Sequence, residues 1–158
     1  MKLTAPAARA GGSDLPPPGD VLAFMRLMWA VDHALQQASK RMKATLGVTG
    51  PQRLVVRLAG RFPGMSAKEL AALLHVHPST LTAVLKRLER QGLIRRRRDP
   101  RDGRRRLIGL TARGQLVDSR MAGTVEAAMK ATMREVNPTE LDAARKVLET
   151  IVKRLGAP

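Results

Sequence analysis

The sequence predicts a mainly α-helical fold carrying one small β-wing, and three observations lead there. The stretch from His77 to Thr111 holds a short amphipathic helix followed by two short basic strands around a tight turn. Apolar residues at helical spacing run along both ends of the chain. A formal net charge of +16 is concentrated in the middle: residues 61–106 carry net +9, against +5 before them and +2 after.

Taken in order, residues 1–19 are rich in Ala, Gly and Pro and read as a flexible N-terminal arm. Asp20 is a candidate N-cap for a long helix reaching about Leu46. In it Phe24, Met28, Val31, Leu35, Ala38 and Met42 step by four and three residues, a seam suited to another helix. Thr49-Gly50-Pro51-Gln52 has the capping-box spacing, and Leu54, Val55, Leu58 and Phe62 are the expected apolar stripe of the helix it opens. Phe62-Pro63-Gly64 should stop that helix. Ser66 to Glu69 is a second capping box, starting a short helix with Leu70, Ala71, Leu73 and Leu74.

After the link His75-Val76-His77, Pro78 suits a first helical position, where its missing N–H costs nothing. At 100° per residue, Leu81, Val84, Leu85 and Leu88 share one face of the following helix, while Ser79, Thr82, Lys86 and Arg90 oppose them. Gly92 suits the left-handed residue that ends a helix. Leu93–Arg98 and Arg105–Leu110 are the expected strands, joined by Asp99-Pro100-Arg101-Asp102-Gly103. Thr111 should cap a long fifth helix running to Val136, with Met121, Val125, Met129 and Met133 as its stripe. Asn137-Pro138-Thr139-Glu140 opens a last helix whose seam is Leu141, Ala144, Leu148, Ile151 and Leu155.

Two short helices joined by a few residues, then an arginine-loaded hairpin, describe a winged helix-turn-helix lobe. Residues 48–111 form that lobe in this reading. Residues 20–47 and 112–158 supply long terminal helices whose seams lack a partner in so small a domain. A homodimer that buries them is the economical solution.

The charge calls for a polyanion. Between Arg95 and Arg106 lie eight arginines and two aspartates, a net of +6. Phe24, Trp29 and Phe62 are the only aromatics, none in the basic stretch, so there is no platform for stacking unpaired bases. Double-stranded DNA is the expected partner. No cysteine is present, which excludes disulfides, thiol redox sensing and thiolate metal sites. No apolar run approaches about 18 residues and no secretory signal is evident, so the expectation is no membrane and a cytoplasmic, nucleoid-associated protein. His33, His75 and His77 lack the carboxylates of a metal site, and no nucleophilic constellation or phosphate loop occurs. Neither cofactor, metal nor enzymatic activity is expected.

The order of elements, with the segments LGVTGPQ at Leu46–Gln52, SAKELAALLHVHPSTLTAVLKRLERQGLI and DPRDGRRRLIGLT, resembles the multiple-antibiotic-resistance regulator (MarR) family of bacterial repressors over about residues 20–155. The resemblance implies a homodimer built on the first, fifth and sixth helices, with two winged lobes reading a pseudo-palindrome. It also implies that Asp102 orients the wing and that Arg104 enters the minor groove. Gly103 departs from the pattern, standing where a second arginine is often found.

The expected DNA contacts are Ser79, Thr80, Thr82, Lys86, Arg87 and Arg90 on the helix and Arg95, Arg97, Arg101, Arg104 and Arg105 in the wing. The competing reading of each is a solvated surface charge. Arg26, Trp29 and His33 are the candidate lining of a pocket for a small aromatic or anionic effector, against simple packing in a core or interface. The function expected is a sequence-specific regulator, a repressor, released by such a ligand. The alternative is a nonspecific architectural protein that coats DNA, because +16 alone would bind any duplex.

Overall fold

The structure, a computed structural model, describes residues 19–156. Residues 1–18 of the expected arm lie outside that range. The elements run α1 (Asp20–Leu46), α2 (Gly50–Arg61), α3 (Ala67–Leu73), α4 (Pro78–Arg90), β1 (Ile94–Arg98), β2 (Arg106–Leu110), α5 (Ala112–Ser119), α6 (Val125–Glu135) and α7 (Pro138–Arg154). The chain divides into two compact units, one ending at His33 and one starting at Ala34, and α1 spans the boundary.

In the first unit α1 is exposed nearly all round: Val21, Leu22, Met25, Leu27 and Trp29 all face solvent. Asp20 is the first helical residue and not the cap, its carboxylate sitting in the positively polarised first turn. In the second unit α1 is tied down by the buried Met42 and by Ser39, whose hydroxyl accepts the Gly50 N–H at 2.8 Å.

One apolar core holds the winged lobe: Val48, Val55, Val56, Ala59, Leu70, Ala71, Leu81, Leu85, Leu88, Leu93, Ile94 and Ile108. Each fully buried Leu, Ile or Val among them contributes about 1.5–3 kcal/mol of burial. The stripe of α2 differs from the expected one. Leu54 and Phe62 are about half exposed, and the buried side of the helix carries Gln52, Arg53, Val55, Val56 and Ala59. Two polar residues occupy positions that hydropathy alone gives to leucine and phenylalanine.

The helix starts follow their local signals. Thr49, Ser66 and Asn137 each close a capping box with Gln52, Glu69 and Glu140. His77 caps α4 through Nδ1, which accepts the Ser79 N–H. The turn between α3 and α4 passes through His75 at φ 51, a left-handed conformation that histidine tolerates better than most side chains. β1 and β2 pair antiparallel, with Ile94 opposite Leu110 and Arg98 opposite Arg106. Leu107 also bridges to Ser66, so the root of the wing is held by the loop before α3.

The largest difference concerns the fifth helix. It does not continue to Val136 but breaks over residues 120–124 into α5 and α6, with Gly123 at φ 72 and Thr124 capping α6. Met121 is therefore outside any helix, and the expected four-residue stripe is interrupted. The cause lies in α2. The Arg53 guanidinium is buried, 1% exposed, and donates to the carbonyls of Val117, Asp118 and Arg120, which a continuous helix would have kept for itself. Neither α6 nor α7 has a buried residue, and Leu148 and Val152 of α7 and its C-cap Leu155 are exposed. No helix among the described residues is long and apolar enough to cross a membrane.

Candidate nucleic-acid interface

The outward face of α4 exists because its inward face is anchored by Leu81, Leu85 and Leu88. Opposite them Ser79, Thr80, Lys86, Arg87 and Arg90 are exposed. Thr82 is half-buried and donates its hydroxyl proton to the Pro78 carbonyl at 2.8 Å, leaving an acceptor to offer. The Ser79 hydroxyl lies 2.7 Å from His77 Nδ1. Lys86, Arg87 and Arg90 form no ion pair among the described residues, so their charge is available to a partner.

The wing sorts its arginines into two sets. Arg96 lies on the inward side of β1 with Ile94 and pairs with Glu89 of α4 at 2.5 Å. Arg105 pairs with both oxygens of Glu69 at 2.9 Å. Arg95, Arg97, Arg98, Arg101, Arg104 and Arg106 have no carboxylate within ion-pair distance among the described residues. Arg105, expected as a DNA contact, also pairs with a glutamate of α3 while remaining 43% exposed. The two aspartates shape the tip by accepting backbone N–H groups: Asp99 takes that of Arg101 at 2.9 Å, and Asp102 that of Arg104 at 3.0 Å. This is the local turn chemistry expected of Asp, and it fixes the backbone from which the Arg104 side chain departs.

Glu69, Glu89 and Arg53 were not expected at the site. The pairs Glu69–Arg105 and Glu89–Arg96 span 36 and 7 residues. Only the capping-box spacing of Glu69 was visible beforehand. Its carboxyl is held below the usual range, first by the Ser66 N–H, next by the Ser66 hydroxyl and then by the nearby Arg105 charge. A carboxyl lowered on folding contributes fully above its unfolded range and loses that contribution as pH falls through its folded value. Acidification below the ordinary glutamate range should therefore free the wing tip. Amides of residues 99 and 101–105 are expected to have severalfold smaller protection factors, each referred to the unfolded-chain rate at that pH, at acidic pH and in Glu69→Gln at neutral pH; equal protection in wild type and variant at neutral pH would show that the pair does not restrain the wing.

The expected pocket residues Arg26, Trp29 and His33 all lie exposed on α1, Trp29 at 78%. A groove of about 660 Å³ lies elsewhere, between the α3–α4 turn and α6–α7. Its lining includes His75, Met133, Leu148, Val152, Arg145 and Lys153.

A profile described as the MarR family matches residues 48–105, the core of this lobe. Over 128 residues the chain is 30% identical to the organic hydroperoxide resistance transcriptional regulator of Bacillus subtilis strain 168, covering 79% of this chain and 86% of that one. It is 37% identical over 94 residues to the HTH-type transcriptional regulator TtmR of Methylorubrum extorquens strain PA1, covering 60% of this chain but about half (48%) of that longer relative. Among solved structures, CouR from Rhodococcus jostii RHA1 bound to p-coumaroyl-CoA matches with a TM-score of 0.69 at 25% identity, over 84% of this chain and 92% of that one. A winged lobe with an unpaired basic face, joined to this extent of shared sequence, places the chain in the MarR family of transcriptional regulators, which bind DNA and are not enzymes.

Proposed function

We propose that the chain is a repressor that binds a pseudo-palindromic duplex as a homodimer and is released by a small aromatic or anionic ligand. The observation that carries this reading is the division of the wing arginines. Two are pinned by glutamates of α3 and α4, which fixes the wing relative to the recognition helix, and six are left unneutralised on the same lobe. Arg98 stands directly opposite Arg106 in the ladder, a like-charge pair that costs stability unless an anion lies beside it. Phosphates supply that anion, while α4 offers Ser79, Thr80, Lys86 and Arg87 to base edges in a major groove.

Dimerisation rests on the unburied apolar faces at both ends: Leu22, Met25 and Trp29 on α1, and Leu148 and Val152 on α7 with Leu155 at its C-cap. Faces of this kind are normally covered by a partner. A ligand role is supported by the apolar groove flanked by Arg145, Lys153 and His75, which suits an aromatic acid, and by the relative CouR, whose structure holds p-coumaroyl-CoA. The sequence has no cysteine, so release by thiol oxidation is excluded even though one relative is named for organic hydroperoxide resistance.

The test compares affinities for a duplex selected from genomic fragments and for a random duplex at physiological salt. A specific regulator binds the selected one at least about 10³-fold more tightly; equal affinities would indicate a DNA-coating protein instead. Arg104→Ala should weaken binding to the selected duplex by about ten- to a hundredfold with the oligomeric state unchanged. Unaltered affinity would remove the wing tip from recognition.

A further inference from the structure

We propose that Arg53 is a positioning residue that locks the bend between α5 and α6 and thereby sets the distance between the two reading heads of the dimer; this rests on the dimeric reading above. Arg53 belongs to α2, inside the winged lobe, and is buried to 1% exposure. All three of its guanidinium nitrogens are used. Nη1 donates to the Val117 carbonyl, Nη2 to those of Asp118 (3.2 Å) and Arg120 (2.6 Å), and Nε to Glu126 Oε1 at 2.6 Å. Arg57, one turn further along α2, donates to the Asp118 carbonyl at 3.0 Å and to its carboxylate at 2.7 Å.

The chemistry favours the bent form specifically. The carbonyls belong to the end of α5 and the residues just after it, where the helix dipole is negative; that of Val117 also accepts the capping Arg120 N–H at 3.3 Å. Glu126 lies in the first turn of α6, where the dipole favours a carboxylate. One cation thus bridges the negative end of one helix and an acid at the positive end of the next. In an unbroken helix from Thr111 to Val136, Val117, Asp118 and Arg120 would give their carbonyls to the amides of Met121, Ala122 and Thr124. Arg53 would then be a buried cation without its acceptors, a costly arrangement. The break and the arginine require each other.

What the bond set controls follows from what else holds α6 and α7. They bury no residue against the lobe, so the apolar core does not orient them. The buried Thr124, whose hydroxyl donates to the Met121 carbonyl at 2.6 Å, closes the bend locally. The link from lobe to C-terminal helices is polar and directional, centred on Arg53 and Glu126 and supported by Arg57, which lies 3.6 Å from the same Glu126 oxygen. If α7 carries the dimer contact, the angle at residues 120–124 sets where each α4 falls on DNA.

The test uses the full-length chain with two variants, Arg53→Gln and the milder Glu126→Gln, whose target is 25% exposed and far less exposed to folding failure. The probes are the duplex selected from genomic fragments, versions with the centre lengthened or shortened by one and two base pairs, and a single half-site. Glu126→Gln is expected to bind the half-site as wild type does, to lose about tenfold on the selected duplex, and to flatten the preference among spacers. Amides of residues 117–126 should change exchange by a similar factor while those of α3 and α4 stay as they were. A wild-type chain without spacer preference overturns the dimeric reading itself. A wild-type preference that both variants preserve, with unchanged exchange at residues 117–126, overturns the role of Arg53.

Discussion

Gly114→Ala is expected to lower the melting temperature of the protein by roughly 6–12 °C, corresponding to about 3 kcal/mol at the upper end of the usual overpacking cost. Gly114 is buried near the start of α5. A Cβ there would fall on the carbonyl oxygen of Leu93, 3.0 Å from its carbon and 3.4 Å from Leu110 Cβ. The obstacle is backbone, so no side chain can swing aside. That carbonyl is held where it accepts the Thr111 N–H at 3.1 Å, while the Thr111 hydroxyl donates to the neighbouring Gly92 carbonyl at 2.6 Å and caps α5 by accepting the Gly114 N–H at 3.0 Å. The substitution pries α5 from the end of the wing. Gly103→Ala is the control, with nothing within 4 Å of its added methyl group. A melt of Gly114→Ala within 2 °C of this control would mean that α5 can be displaced without harm.

The second large effect is expected from Leu148→Glu. Leu148 is about half exposed on α7, between Val147 and the Val152 face, so a carboxylate there leaves the single chain folded. At an interface between two copies it would be desolvated twice, once per subunit, and the removed leucine contacts would be lost as well. Charges buried without partners cost several kcal/mol. Dimer dissociation should strengthen about a hundredfold or more, and sedimentation at micromolar concentration should show a monomer. Affinity for a full operator should collapse while half-site binding survives. A dimer of undiminished stability would move the interface to the first half of α1, where Leu22, Met25 and Trp29 are uncovered.

Much of the winged lobe could be read beforehand because its signals are local. Thr49, Ser66, Thr111 and Asn137 each announce a helix within three residues of themselves, and all four act as caps. Leu81, Leu85 and Leu88 gave the inward face of α4 by spacing alone. The misses have a common cause in partners distant along the chain. Nothing near Arg53 shows that it will be buried, since its acceptors are 64 to 73 residues away. Without them Leu54 and Phe62 were the better core candidates for α2. The break at residues 120–124 was hidden for the same reason: Gly123 and Thr124 are tolerable in a helix until an external donor takes the carbonyls. Arg105 looked as available as its neighbours until the fold brought Glu69 beside it. The assignment of wing and helix residues to DNA rests on a pattern of unpaired charge, not on contacts.

The two glutamate–arginine pairs have a further consequence. Each arginine neutralised from within has no phosphate to replace and so displaces no condensed cation when the lobe meets a duplex. Glu69 and Glu89 thereby blunt the entropic reward for gripping arbitrary DNA while leaving the hydrogen-bonding face of α4 untouched.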